Sequence, residues 1–326
     1  MKLIGLISLL IVLLYLAIKK KFFAQEGKFA LYFLIFVLII LSLLKIKNKV
    51  LCQSDYFNNQ PGKIAFCFLI YDDINHDDLW FDFFKNVDKN KYNIYVHYKV
   101  NKPLKHFEKY KLNNCIETEW GDISLVRAQL LLYEKALQDK QNKKFITISN
   151  SCIPVKNFNE IYNLLMNDNN KNYFNEAPLP SEIYQYLKLN YVDVKKASQW
   201  FIINRELTET LVNHKSDTVY FEYVHAPDEI FFLTTILKYK KQSNIEIFNN
   251  IPFATTFTNW DSMNYKYRRN DDTNPHNYAT ISEDELLYIL TSKSLFARKF
   301  NKNCKVIINN NQEIDIGLYI KQKIFD

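Results

Sequence analysis

The chain has 326 residues, 48% of them hydrophobic, with 42 basic residues against 35 acidic ones and a formal charge of +7. That length and apolar content suit one large core plus an appendage and exclude a disordered chain, while basic residues spread among acidic ones exclude bulk nucleic-acid binding. Cys52, Cys67, Cys115, Cys152 and Cys304 lack CxxC spacing and point to neither a disulfide scaffold nor a zinc site. No GxGxxG or GxxxxGK[ST] loop is present for a dinucleotide or a Walker-type phosphate.

Residues 3–18 and 29–44 are free of charge and flank the lysine-rich KKKFFAQEGK. Each spans roughly 24 Å as a helix, a little short of a hydrocarbon core of about 30 Å, and flanking lysines stretch such segments by snorkelling. A membrane anchor is expected over residues 1–50, as two spans or as one signal anchor, with the main domain across the membrane from Lys19, Lys20, Lys21 and Lys28. Residues 51–62 read as a polar linker.

The globular part opens at Lys63. IAFCFLIY from Ile64 is a continuous apolar run of strand length, the pattern of a strand buried on both faces of a parallel sheet. Leu79–Val87 reads as a helix and YNIYVHY from Tyr92 as a second strand. Ser124–Leu137 carries a helical stripe, FITIS from Phe145 is a third strand, and Asn157–Met166 is again helical. This alternation predicts an α/β fold, with ligand contacts at the carboxyl ends of its strands, where Asn150 and Ser151 follow FITIS.

In FEYVHAPDEIFFLTTIL, Pro227 suits a helix's first turn, and Asp228 and Glu229 suit the positive end of its dipole. Ile230, Phe231, Leu233, Ile236 and Leu237 recur at helical spacing and anchor that helix in a core. The acidic pair then either complements the dipole or presents a carboxylate at a cleft.

Four blocks, WGDISLVRAQLLLYEKAL (120–137), KFITISNSCIPVKNFNEIYNLL (144–165), KKASQWFIINREL (195–207) and APDEIFFLTT (226–235), followed by SLFARKF (294–300), resemble the core-2/I-branching glycosyltransferases, including their plant branch. The resemblance implies a GT-A-like (Rossmann-like) nucleotide-sugar domain over residues 63–300, with a C-terminal tail at 301–326. It also implies an inverting transfer of a sugar, GlcNAc favoured, from a UDP donor to a glycan or glycoprotein hydroxyl. A Golgi or ER lumenal location goes with it, although the lack of any Asn-x-Ser/Thr sequon leaves a cytosol-facing domain open. No cofactor and no divalent metal are expected, in keeping with the absence of an Asp-x-Asp triplet.

Carried over by the same resemblance, Glu229 is the general base and Asp228 caps or orients. Lys299, helped by Arg298, offsets the charge on the departing diphosphate. A second cation is expected upstream, where His276 falls nearest, with Arg268 and Arg269 as competitors. Trp200 and Trp120 either stack on sugars or pack in the core, and Trp260 lies where relatives place a tryptophan near the acceptor. Arg205 and Glu206 either bind acceptor hydroxyls or pair with each other. Where many relatives have His-Val-Asp, with the aspartate touching the nucleoside, this chain has His97, Tyr98 and Lys99; His97 stands among the donor contacts, and either another residue replaces the aspartate or the donor is bound differently. A xylosyl- or glucuronosyltransferase of the same fold, and an inactive membrane-tethered glycan-binding protein, are the alternatives.

Overall fold

The structure, a computed structural model, describes residues 37–38, 40–42, 44–45 and 62–325, less 169, 189, 191–192, 241–244, 249–254, 261–266, 268–273 and 309–311. The expected segment 3–18, most of 29–44, nearly all of the linker, and Arg268 and Arg269 lie outside these residues. The described residues between 37 and 45 are helical, and among the described residues no helix is long and apolar enough to cross a membrane. Residues 61–326 form one compact unit.

Strands β1 (Lys63–Ile70), β2 (Tyr92–Tyr98) and β3 (Asn142–Ser149) begin the central sheet. It continues through β5 (Asn172–Ala177), β6 (Lys196–Ala197) and β7 (Ile202–Asn204) in the order β2-β1-β3-β7-β5-β6, with β8 (Ile245–Phe248) also pairing β5. β1 runs parallel to both β2 and β3, whereas β7 is antiparallel to β3 and to β5. The sheet is therefore mixed, not purely parallel as the apolar run at Ile64 suggests, because β7, reached from β5 through the helix Ser181–Leu187 and β6, runs opposite to both of its neighbours.

Period-two alternation sends the side chains of β1 into two separate cores. Ala65, Cys67 and Leu69 face helices α1 (Ile123–Leu137), α2 (Arg205–Asn213) and α3 (Phe231–Tyr239). Phe66, Phe68 and Ile70 face the aromatic cluster of Trp80, Phe83, Phe84 and Phe158 on the other side. Local chemistry sets the helix starts: Asp122 accepts from the Ser124 amide, Asn157 from that of Glu160 and Asn204 from that of Leu207.

Two smaller sheets complete the unit. β4 (Ile153–Pro154), β11 (Phe296–Arg298) and β9 (Thr256–Thr258) form one, and β10 (Tyr278–Ser282), β12 (Phe300–Ile308) and β13 (Gln312–Asp315) the other. The segment read from sequence as a tail supplies β12, β13 and the buried Ile316, Tyr319 and Ile320 of a third core cluster.

Arg205 is a structural residue of this fold. Its guanidinium donates to the carbonyls of Leu137 (2.8 Å), Asp139 (2.9 Å) and Asn142 (3.3 Å) and pairs with Glu209 at 2.7 Å. It closes the last turn of α1 at the amino end of β3, opposite the end where ligand contacts were expected. Glu206 pairs with Lys240 at 2.7 Å, not with Arg205. Main-chain carbonyls and Glu209 thus take the charge of Arg205, and a neighbouring lysine that of Glu206.

Arg205→Ala is expected to lower stability by about 1–3 kcal/mol by stripping carbonyl partners, leaving donor affinity of the folded protein unchanged; denaturant melts and donor titration check this. Lys144, fully buried on β3, donates to the Lys171 carbonyl, and burial pushes its pKa down to about 8. The unfolded chain holds that proton to about pH 10, so stability should rise with pH between about 8 and 10. Lys144→Met should flatten part of this rise in Tm measured across that window.

Candidate functional site

The sequence pattern expects a helix to start at Pro227, but Pro227–Glu229 is a single 3-10 turn and α3 begins at Phe231. Ala226 sits in the left-handed region (φ 50°), and Ile230 (φ −120°) breaks the turn from the helix. The carboxylates of Asp228 and Glu229 are therefore not stacked on the first turn of α3. They are held by a tight corner whose apolar side, Pro227 and Ile230, is buried. The corner is tied back by the Ala226 amide, which donates to the Gly121 carbonyl at 3.1 Å. Gly121 itself needs its positive φ of 74°, and a Cβ there would meet the His225 ring at 3.1 Å.

Opposite this corner, β11 delivers the basic pair. β4 follows directly from the turn after β3, and its antiparallel pairing with β11 sets Ala297 against Ile153. The Phe300 amide donates to the Ser151 carbonyl at 3.0 Å, so the stretch carrying Arg298 and Lys299 is tied beside the carboxyl end of β3. Arg298 stacks its guanidinium on the Trp200 ring, 4.3 Å from the centroid, and its Nε is buried with no hydrogen-bond partner. Burial holds the Arg298 pKa below its usual value, while Cys152, Glu229 and Asp228 act in the opposite direction. Burial and the Arg298 charge push Lys299 down to about 8.

The acidic side is not symmetric. Asp228 is raised to about 7, chiefly by burial and then by Glu229, and its Oδ1 is buried and unpartnered. Glu229 accepts Lys196 Nζ at 3.1 Å. Acidic corner, basic pair and Lys196 thus form one electrostatic cluster, with a carboxylate able to take a proton and cations able to hold an anion.

The structure brings Asp228, Glu229, Arg298, Lys299 and Trp200 together, and His276 adjoins them through the Lys299 amide, which faces the His276 carbonyl at 3.5 Å. The His276 ring packs edge-on to Tyr278, 4.4 Å between centroids. The amide of His276 donates to the Asn259 carbonyl at 2.8 Å, so Trp260, one residue on, borders the same loop. Asn150 is in the turn after β3, its carbonyl accepting the Asn75 amide at 2.9 Å.

His97 is fully buried, and its Nε2 accepts the Ile116 amide at 3.0 Å, which fastens the segment beyond β2. Lys99, at the same strand end, pairs with Glu119 at 2.7 Å. Trp120, next in the chain, is 76% exposed with its ring 5.5 Å from His225, which removes core packing as its role.

Lys196 and Cys152 were not singled out from sequence. Lys196 lies in the block KKASQWFIINREL, where nothing separates it from Lys195. In extended chain the two point to opposite sides, and Lys195 pairs with Glu176 at 2.6 Å. Cys152 reads as a plain core residue, yet its Sγ lies 3.1 Å from Ser149 Oγ and within reach of the Arg298 charge.

The chain is 27% identical over 164 residues to a rice (Oryza sativa subsp. japonica) protein named Glycosyltransferase BC10, covering 47% of this chain and 41% of the relative, so it spans about two fifths of that relative's length. Among solved structures, an active-site mutant of LgtC aligns with 72% of this chain and 86% of its own at 10% identity and a TM-score of 0.36. The family profile described as Core-2/I-Branching enzyme matches residues 64–289, and the chain belongs to that family.

Proposed function

We propose that the protein is an inverting glycosyltransferase with a GT-A-like domain, moving a sugar, GlcNAc favoured, from a UDP donor to a glycan hydroxyl. The observation that carries this reading is the meeting of the Asp228–Glu229 corner with the Arg298–Lys299 pair at the carboxyl end of β3. As the acceptor oxygen bonds to the anomeric carbon, its proton passes to Glu229. The anomeric bond to the diphosphate breaks with its electron pair, and the charge grows on the phosphate oxygens.

Arg298 and Lys299 meet that charge. They act in place of a metal ion, since a stacked guanidinium and a half-buried ammonium give fixed positive charge in a site of low polarisability. Asp228, neutral for part of the time near pH 7, spares Glu229 a second full negative charge beside it. At the nucleoside end, the exposed Trp120 ring offers a flat face for a base, and Glu119, held by Lys99, supplies the carboxylate that position 99 lacks. The apolar N-terminal segments fit a membrane-anchored protein with its catalytic domain in the Golgi or ER lumen.

Glu229→Gln should cut transfer from UDP-GlcNAc by about 100-fold or more while UDP affinity holds, and undiminished turnover would refute the assignment. Because Lys299 loses its proton near pH 8, UDP affinity should weaken as pH rises from 7 to 9. Lys299→Arg should flatten that dependence in calorimetric titrations. Turnover should survive EDTA; its loss on chelation would mean that an ion, not the basic pair, holds the diphosphate.

A further inference from the structure

The lysine that contacts Glu229 is held from the same helix that follows Glu229. Thr234, fully buried on α3, accepts the Lys195 amide at 3.0 Å and donates its hydroxyl to the Lys195 carbonyl at 3.1 Å. One side chain thereby takes both backbone groups of the residue before Lys196, whose Nζ stands 3.1 Å from Glu229. A buried hydroxyl among Phe231, Phe232 and Leu233 is costly unless it is bonded, and a valine would fill the same volume. The hydroxyl is therefore explained by what it grips.

The neighbouring contacts stiffen the same segment from the other side. The Ser198 amide donates to the Asn175 carbonyl at 2.8 Å, and Gln199 Nε2 donates to Gln129 at 3.2 Å, inside a buried network with Tyr133 and Thr147. Downstream of Lys196 the chain is fixed to β5 and α1. Upstream, Thr234 ties it to α3, the helix that follows the acidic corner.

We infer that Thr234 is a positioning residue, acting through Lys196 to aim the Glu229 carboxylate at the acceptor hydroxyl; this rests on the reading of Glu229 as base. Thr234 bonds to the Lys195 backbone and lies on a different element from Arg298 and Lys299. Its loss should lower kcat, not donor affinity, because Arg298 and Lys299 are carried by β11 and the residue after it.

The test measures kcat, donor KM and Tm for Thr234→Val, Thr234→Ser, Lys196→Met, Glu229→Gln and the Thr234→Val/Lys196→Met double variant of the full chain, with UDP-GlcNAc as donor. Thr234→Val should lower kcat about 10-fold or more with donor KM unchanged, Thr234→Ser should restore most of it, and the valine should cost little further once Lys196 is methionine. An equal loss in both backgrounds, or no rescue by serine, overturns the inference while Glu229→Gln remains inactive. Turnover retained by Glu229→Gln removes the base assignment and this role together. Thr234→Cys, with a weak donor of similar size, guards against a valine variant that does not fold; wild-type kcat in the cysteine variant would also overturn the proposal.

Discussion

A guanidinium withdrawn from water has to be compensated, and Arg298 is half-buried with its Nε out of solvent and, among the described residues, unpartnered. Three features make it tolerable: the face of Trp200 beneath it, the sulfur of Cys152 beside it, and the carboxylates of Asp228 and Glu229 across from it. None of these comes from a nearby stretch of chain. The short β4-β11-β9 sheet brings one of them, setting Arg298 beside Cys152, while Trp200 and the carboxylates come from other elements.

The same constraint divides the two carboxyl groups. Both sit on one tight corner, yet burial raises Asp228 toward neutrality whereas Glu229 engages Lys196. Charge on the acidic side is limited, and the balance around Arg298, Lys299 and Lys196 tips positive. An anionic ligand entering here meets cations already fixed in place, so little reorganisation is needed as negative charge develops on it.

Much of the fold was legible in strand-length runs of apolar, aromatic and β-branched residues: Ile64–Ile70 is unbroken and apolar, and Tyr92–Tyr98 and Phe145–Ser149 are rich in the same residue types. The antiparallel return of β7 was not, since three residues, Ile202–Asn204, carry no mark of direction. Pro227 misled for a definite reason. Proline suits a 3-10 turn as well as an α-helix, and only the left-handed Ala226 and the break at Ile230 decide between them. Of the site, Glu229 and Lys299 were carried by motif resemblance, but Lys196 depended on which face of an extended pair turns inward. Arg205, set immediately before Glu206 in the same block, was equally conspicuous in sequence. It proved to serve helix carbonyls at the far end of the sheet, a role visible only once α1 and β3 are side by side.

Acid and cations are thus mounted on separate supports, the corner before α3 for the carboxylates and the end of β11 for the basic pair. Neither support can drift far alone. The corner is tied to Gly121 and through Glu229 to Lys196, whose strand α3 grips at Thr234, while β11 is locked between β4 and β9 and bonded onward through Phe300 to Ser151. A divalent ion would bind both oxygens of a diphosphate from one point and adjust its coordination as the bond breaks. A protein that uses side chains instead must fix their separation in advance, because a stacked guanidinium and a half-buried ammonium cannot follow the phosphate as it leaves. Under the metal-independent transfer proposed above, the backbone ties on these two short segments would supply that fixed separation.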